Sequence, residues 1–285
     1  MWEACFPAIS KLKASVSADN TSLNPPDLKQ CMRFAEGVSP GVTVVNAYSS
    51  ALVQPAAGIS PSVAMVGALF KSVEEGWEPP SHLKAFLDAG PKPISVGFGS
   101  MGLPPNAIHL IISAIRECGE HTRAVLLSGG AKLSPDDLLN DMHGSKELYD
   151  WASTHIVVCS SVPHKWLLPQ CCACICHGGA GTVHAGIRAR LPMVIAPVLA
   201  DQFFWGNQIQ RSGAGLCIAP FTAASTGLTA ESLAAAISRV TAEPGFAQHS
   251  AILAAKMATE GGNAAAADVL ESLLRGRHGA STASI

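Results

Sequence analysis

The stretch Ala173-Cys174-Ile175-Cys176-His177-Gly178-Gly179-Ala180-Gly181-Thr182 passes from a short apolar run into a turn with three glycines in four positions. Residues 173–176 have the length of a buried β-strand, and residues 183–190 can continue as a helix. So many glycines cost conformational entropy that an ordinary loop seldom needs. They leave bare backbone amides at the positive end of the helix, flanked by the hydrogen-bonding side chains of His177 and Thr182. The stretch predicts a strand-turn-helix unit that can bind a diphosphate.

On both sides of this stretch, short β-branched apolar runs alternate with segments that can form helices. Residues 107–118 carry the apolar stripe of an amphipathic helix. The predicted strands are 42–45, 63–66, 94–98, 124–127, 155–159, 172–176, 193–196 and 216–219. This alternation predicts an α/β fold, a Rossmann-like parallel sheet with helices on both faces.

Composition restricts the function classes that remain. Of the 285 residues 48% are hydrophobic and 14% are charged, which is typical of a folded globular chain. The 19 Lys and Arg residues against 21 Asp and Glu residues leave no broad cationic field for nucleic acid. Because residues 1–17 lack the pattern of a secretory signal, we expect a cytoplasmic protein whose nine cysteines are reduced thiols.

A second glycine-rich turn, Gly97-Phe98-Gly99-Ser100-Met101-Gly102, follows the predicted strand 94–98. It can hold a phosphate or simply be a tight strand-to-helix turn, and spacing alone does not decide between them. Its pattern also permits an NAD-dependent oxidoreductase. That reading requires an acid at the end of the next strand, where the chain has Leu127-Ser128-Gly129 instead.

Asp201 and Gln202 follow the predicted strand 193–196 by a few residues. Ligands of open α/β sheets lie beyond the carboxyl ends of the strands, where a carboxylate beside an amide suits sugar hydroxyls. Asp201 could equally just begin a helix, and both interpretations stay open. The neighbouring Phe203, Phe204 and Trp205 could form a patch that faces the acceptor, but aromatic residues beside a proline-rich strand more often lie in the core, where we expect them.

The cysteines around the glycine turn raise the possibility of a zinc site. Strand alternation places Cys172, Cys174 and Cys176 in a line on one face, whereas tetrahedral sites draw their ligands from turns. We therefore expect buried apolar thiols, no metal and no cofactor.

Four motifs together resemble the UDP-sugar glycosyltransferases, specifically the C-terminal donor-binding domain of the sterol 3-beta-glucosyltransferases. They are residues 97–101, Val162-Pro163-His164-Lys165-Trp166-Leu167-Leu168-Pro169, residues 177–182 and residues 197–205. The resemblance covers roughly residues 44–274 and implies the C-terminal half of a GT-B fold. It divides the chain into a remnant or linker of an N-terminal domain at 1–40, a UDP-sugar-binding domain at 41–275 and a flexible tail at 276–285.

The resemblance also implies a role for each motif residue. His177 would meet the diphosphate, Gly179, Ala180, Gly181 and Thr182 would supply amides and a hydroxyl to it, and Ser100 would approach it from the other turn. Asp201 and Gln202 would hold the transferred sugar, and Val162 would meet the uracil through its backbone.

Some features of the family are missing from the sequence. Cys176 and Ala185 stand where many relatives carry a His and a Glu, no aromatic residue stands near Cys159, and residues 1–40 lack the acceptor domain with its catalytic base. The resemblance predicts inverting, metal-independent transfer of a hexose to a lipid-like hydroxyl such as that of a sterol, with possible peripheral membrane contact. A UDP-sugar-binding module without transfer activity is the alternative.

Overall fold

The computed structural model describes residues 43–99, 107–129, 145–220 and 227–281, with side chains as far as residue 275. A six-stranded parallel sheet forms its centre, in the order β5-β4-β3-β6-β7-β8. The strands are β3 (Ile94–Gly97), β4 (Ala124–Leu127), β5 (Ile156–Cys159), β6 (Ala173–Cys176), β7 (Met193–Ile195) and β8 (Gly215–Cys217). The parallel sheet expected from the alternating pattern is confirmed.

Helices connect the strands and follow the last of them. They are α1 (Ser81–Asp88), α2 (Ala107–Glu117), α3 (Lys146–His155), α4 (His164–Leu167), α5 (Ala180–Arg188), α6 (Gln202–Arg211), α7 (Ala230–Ala242), α8 (Pro244–Met257) and α9 (Gly262–Ser281). A 3₁₀ turn over Leu168–Gln170 leads from α4 into β6. Helix α9 runs past the boundary expected at residue 275, and the flexible tail at 276–285 stays a prediction. No helix in the described ranges is both long and apolar enough to cross a bilayer.

The sheet has a separate hydrophobic cluster on each face. Alternation along β6 places Cys174 and Cys176 in the cluster that α5 covers, and Ala173 and Ile175 in the cluster that α2 and α7 cover. The expectation that Cys172 shares a face with Cys174 and Cys176 is wrong. Cys172 precedes the strand and packs in the second cluster, so strand alternation does not extend to it.

The first two strands, β1 (Val44–Asn46) and β2 (Val63–Met65), form a parallel pair of their own and do not join the larger sheet. Hydrogen bonds tie this segment to the C-terminal end of the fold. Glu260 Oε1 accepts from Ser49 Oγ at 3.0 Å, from Ser50 N at 2.8 Å and from Ser50 Oγ at 2.8 Å.

The strand order reverses between β3 and β6. From β3 the chain builds outward through β4 to β5, then returns to β6 and builds outward on the other side. In doubly wound sheets, this reversal opens a crevice beyond the carboxyl ends of the two central strands. Gly97 and Cys176 are the paired last residues of β3 and β6, so the two glycine-rich turns leave the sheet side by side.

Candidate functional site

His177 is the first residue after β6 and is held in a turn that requires glycine at position 178. Gly178 has φ +89, and a Cβ there would lie 2.8 Å from Ile195 Cγ2 and 2.9 Å from the carbonyl oxygen of Gln202. Any side chain at position 178 would therefore be strained and would push the turn away from β7 and α6. Gly179 is the N-cap residue of α5, and the helix begins at Ala180.

The two glycine turns meet over the imidazole ring of His177. A Cβ at Gly99 would lie 3.2 Å from His177 Cε1, and one at Gly179 would lie 2.5 Å from His177 Nε2. The ring is only 9% exposed. The glycine turn after β3 therefore lies close to His177, as Gly99 shows. Ser100, which was predicted to contact the diphosphate, lies outside the described residues.

Among the described residues, no side chain caps the backbone amides in the first turn of α5. Its N-cap Gly179 has no side chain to accept from them, and the first intrahelical bond there runs from Val183 N to the Gly179 carbonyl at 3.0 Å. The amides of Ala180, Gly181 and Thr182 therefore face outward at the positive end of the helix dipole. This arrangement suits an anion.

Burial makes His177 a neutral imidazole. Loss of hydration lowers its pKa, and the nearby Gly97 carbonyl and Asp201 carboxylate offset this only in part. Within the described residues, its buried Nδ1 has no hydrogen-bond partner. A buried polar atom without a hydrogen-bond partner costs stability.

Asp201 and Gln202 lie at the start of α6, against the His177 turn, but their side chains act differently. Gln202 is buried, and its Oε1 accepts from Val198 N at 2.8 Å and from Leu199 N at 3.0 Å. Asp201 is the N-cap residue, yet its carboxylate caps no amide and instead accepts from Trp205 Nε1 at 2.9 Å. Asp201 therefore begins the helix while its side chain remains exposed to the crevice.

The aromatic residues of this helix do not all lie in the core. Trp205 is buried at 6% exposure, as expected, but Phe203 and Phe204 are 40% and 44% exposed. The expectation was wrong for these two because they occupy the outer face of α6, whereas position 205 packs inward on His184 and Tyr48.

A cavity of about 860 Å³ lies beside the glycine turns. Thr182 and Ala185 of α5 form one wall, Val162 and His164 another, and Trp77 closes the far side. A smaller space of about 130 Å³ shares Val162, His164 and Thr182 and extends to Gly97 and Gly99. The volume of the larger cavity lies within the range typical of small-ligand sites. The larger cavity brings together Val162, Gly181 and Thr182. The lining of these two spaces does not include the other predicted residues in the described ranges, which are His177, Gly179, Ala180, Asp201 and Gln202.

The cysteines near the site are buried thiols. Burial raises the pKa of Cys171 to about 12. The hydrogen bond with Cys176, together with burial, raises the pKa of Cys174 well above its usual value. Such thiols stay protonated and are poor metal ligands. In the part of the chain that the structure describes, no three His, Cys, Asp or Glu side chains are grouped as a metal site would need.

Known proteins are similar to this chain in sequence and in fold. It is 33% identical to sterol 3-beta-glucosyltransferase UGT80A2 of Arabidopsis thaliana over 170 residues, which are 59% of this chain and 24% of that protein. It is 37% identical to the vancomycin aglycone glucosyltransferase of Amycolatopsis orientalis over 136 residues, which are 47% of this chain and 29% of that protein.

Two solved glycosyltransferases, both under 20% identical, share its fold. The glycotransferase of kitacinnamycin gives a TM-score of 0.62 at 19% identity over 95% of this chain and 66% of that one. The calicheamicin glycosyltransferase CalG4 gives 0.58 at 18% identity over 92% and 64%. Residues 144–273 match the family model described as erythromycin biosynthesis protein CIII-like, C-terminal domain.

This segment is the C-terminal domain of a UDP-glycosyltransferase. The GT-B architecture expected of the UDP-glycosyltransferase domain is confirmed by its structural neighbours. The chain spans from 12% to 31% of the length of the curated relatives that it matches.

The resemblance left two residues of this UDP-glycosyltransferase domain without a role. Trp77 lines the main cavity although it lies far from the motifs in sequence. His164 lines both spaces, and burial lowers its pKa. No local pattern signals Trp77, because its contact with the site depends on how the segment before α1 packs.

Proposed function

We propose that this domain binds a UDP-hexose, with glucose the expected sugar. In the whole protein it would transfer that hexose to a hydroxyl of a lipid-like acceptor such as a sterol. The observation that carries the proposal is the meeting of two glycine turns around the buried His177, beside the uncapped N-terminus of α5. The names of the curated relatives support glucosyl transfer, and those of the sterol enzymes support the acceptor class.

The diphosphate would lie at the amides of residues 179–182. Negative charge grows on it as the bond to the sugar breaks, and fixed amide dipoles there stabilise that charge without having to reorganise. The Thr182 hydroxyl and the imidazole of His177 can each donate one further hydrogen bond. These groups would let UDP leave without assistance from a metal.

The hexose would lie over the start of α6. The Asp201 oxygen that does not bond Trp205 is free to accept from a sugar hydroxyl. The Gln202 oxygen is engaged by two backbone amides, so its amide nitrogen is the atom left to donate. A carboxylate that accepts beside an amide that donates would distinguish the orientations of neighbouring hydroxyl groups.

Transfer would invert the anomeric carbon. The acceptor oxygen attacks that carbon on the face opposite the bond to UDP, and the transition state has oxocarbenium character. A base must take the proton of the acceptor hydroxyl, and no residue of this chain is assigned that role. The base and the acceptor pocket would come from an N-terminal domain, which could also supply contact with a membrane surface.

Calorimetric titration of the full chain with UDP, UDP-glucose and NAD tests donor binding. We expect binding of both uridine ligands, no binding of NAD, and a loss of at least about tenfold in affinity for UDP in His177→Ala. His121→Ala is the matched control, because His121 is exposed and precedes the amino end of β4, whereas the site lies beyond the carboxyl ends of the strands. Binding of NAD with no binding of UDP would overturn the proposal.

A transfer assay with a sterol acceptor separates an enzyme from a binding module. The proposal expects glucosylated sterol when the C-terminal domain is joined to its acceptor domain, and no product when His177 is replaced by alanine in that protein. UDP-glucose binding without any product in the whole protein would favour the non-catalytic module.

A further inference from the structure

The main cavity continues from the proposed diphosphate site along helix α5. Thr182 in the first turn, Ala185 one turn later and Arg188 at the end of the helix all line it. At 1.5 Å per residue, Thr182 and Arg188 are roughly 9 Å apart along the axis. A nucleoside attached to a diphosphate at the N-terminus of α5 has room to extend in this direction, and the small side chain of Ala185 leaves that path open.

Phe70 and Trp77 carry the two large aromatic rings in the wall of this cavity, and His164 adds a smaller imidazole ring. The guanidinium of Arg188 lies 4.4 Å from the centre of the Phe70 ring, so one face of Phe70 is already covered. Between β5 and α4, where the chain also borders the cavity, it carries Ser161 and Val162 and no aromatic ring. Trp77 is therefore the aromatic side chain best placed to receive a flat ring.

The indole of Trp77 is held in place from two directions. Its ring contacts that of Trp166 edge to face, with centroids 5.3 Å apart and planes at 63°. Its backbone amide donates to the carbonyl of Glu74 at 3.1 Å. A ring fixed in this way loses little conformational entropy when a ligand stacks on it.

The segment that carries Trp77 is also anchored to the end of the fold. Asn263 Oδ1 accepts from Phe70 N at 2.9 Å, and Asn263 Nδ2 donates to the Phe70 carbonyl at 2.9 Å. The segment between β2 and α1 therefore forms a fixed wall of the cavity.

We propose that the indole of Trp77 is the surface on which the base of the donor nucleotide stacks. This inference rests on the proposed function, since it assumes a nucleoside diphosphate at the His177 turn. It assigns base binding to a residue outside the six-stranded sheet, opposite Val162. A nucleic-acid base gains binding energy from any aromatic face, so stacking sets affinity for nucleosides and leaves phosphate binding unchanged.

The test compares UDP with inorganic pyrophosphate, which has no base, in Trp77→Ala and Trp77→Phe of the full chain. We expect Trp77→Ala to weaken UDP binding roughly tenfold or more with unchanged affinity for pyrophosphate, and Trp77→Phe to restore most of the loss. UDP should also quench indole fluorescence in the unsubstituted chain, and the quench should be largely lost in Trp77→Phe. Trp151→Phe is the control, because Trp151 stacks on His155 and does not line the cavity.

The outcomes separate this inference from the proposed function. UDP binding by the unsubstituted chain together with equal UDP binding by Trp77→Ala would overturn the role of Trp77 alone. An equal loss of UDP and pyrophosphate in both variants would also overturn it, because the effect would then be a general disturbance of the site. Failure of the unsubstituted chain to bind UDP would overturn the proposed function, and this inference with it.

Discussion

The indole nitrogen of Trp205 donates a 2.9 Å hydrogen bond to Oδ2 of Asp201, one turn earlier on α6. Trp205 is buried against His184 at a ring distance of 5.1 Å, whereas Asp201 is exposed to the crevice. The bond therefore connects the core to the carboxylate proposed to hold the sugar. It keeps one carboxylate oxygen engaged and leaves Oδ1 for a ligand.

Trp205→Phe should weaken the binding of UDP-glucose roughly tenfold or more and leave the binding of UDP nearly unchanged. Phenylalanine keeps the aromatic packing but removes the N–H donor, and a hydrogen bond to a charged group contributes roughly 1.5–3 kcal/mol. Calorimetric titration with both ligands measures the difference. Trp151→Phe should change neither affinity. Equal losses for UDP and UDP-glucose would contradict a sugar-specific role for Asp201.

Gly179→Ala should weaken UDP binding about tenfold or more while the chain stays folded. The backbone angles of Gly179, φ −63 and ψ 135, suit alanine, but the added Cβ would lie 2.5 Å from His177 Nε2 and displace the imidazole. Gly245→Ala is the matched control, since a Cβ there meets nothing within 4 Å. Thermal unfolding checks the fold and calorimetry the affinity. Unchanged UDP binding in Gly179→Ala would show that the position of His177 does not matter.

Local pattern predicted the elements that build this site. The apolar run at 124–127 is β4 residue for residue, and the glycine turn at 177–182 does join β6 to α5. The predictions of β4 and of the glycine turn hold because buried strands and glycine turns are determined by neighbouring residues. The meeting of the two glycine turns was expected only from the family resemblance. In the structure it results from the reversal of strand order between β3 and β6, which brings the carboxyl ends of these strands together.

Contacts between distant segments were not predictable in the same way. The pairing of β1 with β2 outside the main sheet and the position of Trp77 beside Trp166 arise from tertiary packing. The anchor between Glu260 and Ser49 joins residues that no short motif relates. A helix start at Asp201 was one of two interpretations that the sequence left open, and the bond from Trp205 to Asp201 depends on the inward position of the indole.

Affinity for UDP-glucose should rise as the pH falls from 7.5 to 5. Burial lowers the pKa of free His177, so the ring is neutral at pH 7. A bound diphosphate favours the imidazolium form and raises this pKa in the complex, so a proton is taken up on binding. The affinity for UDP-glucose therefore increases as the pH falls below the pKa of His177 in the complex. It levels off below the pKa of His177 in the free chain. UDP-glucose suits the measurement because both of its phosphates are esterified and do not titrate in this range. His177→Gln should give a flat profile, and an unchanged pH dependence in that variant would contradict the assignment.

The free energy of unfolding should fall as the pH decreases below about 6.5, and His184 should contribute to that slope. His184 is 2% exposed, its Nδ1 donates to the Ala180 carbonyl at 2.7 Å, and its Nε2 accepts from Ser49 N at 3.1 Å. Burial lowers its pKa, so the unfolded chain takes up the proton first and acid favours unfolding. The loss of stability begins near the pKa of His184 in the unfolded chain and ends below its pKa in the folded chain.

Urea unfolding between pH 7 and 5 measures this dependence. His184→Gln should reduce the slope by up to about 1.4 kcal/mol per pH unit, the value for one proton. His121→Gln should leave it unchanged, because that side chain is exposed. If the free energy of unfolding had the same pH dependence in His184→Gln and in the unsubstituted chain, His184 would titrate alike in the folded and unfolded states.

A crystal structure of the chain soaked with UDP examines the site most directly. We expect both phosphates within hydrogen-bonding distance of the amides of residues 180–182, with His177 and the Thr182 hydroxyl in contact and the uracil in the cavity beside Val162. UDP bound elsewhere on the chain, or an empty α5 N-terminus at saturating UDP, would contradict the account.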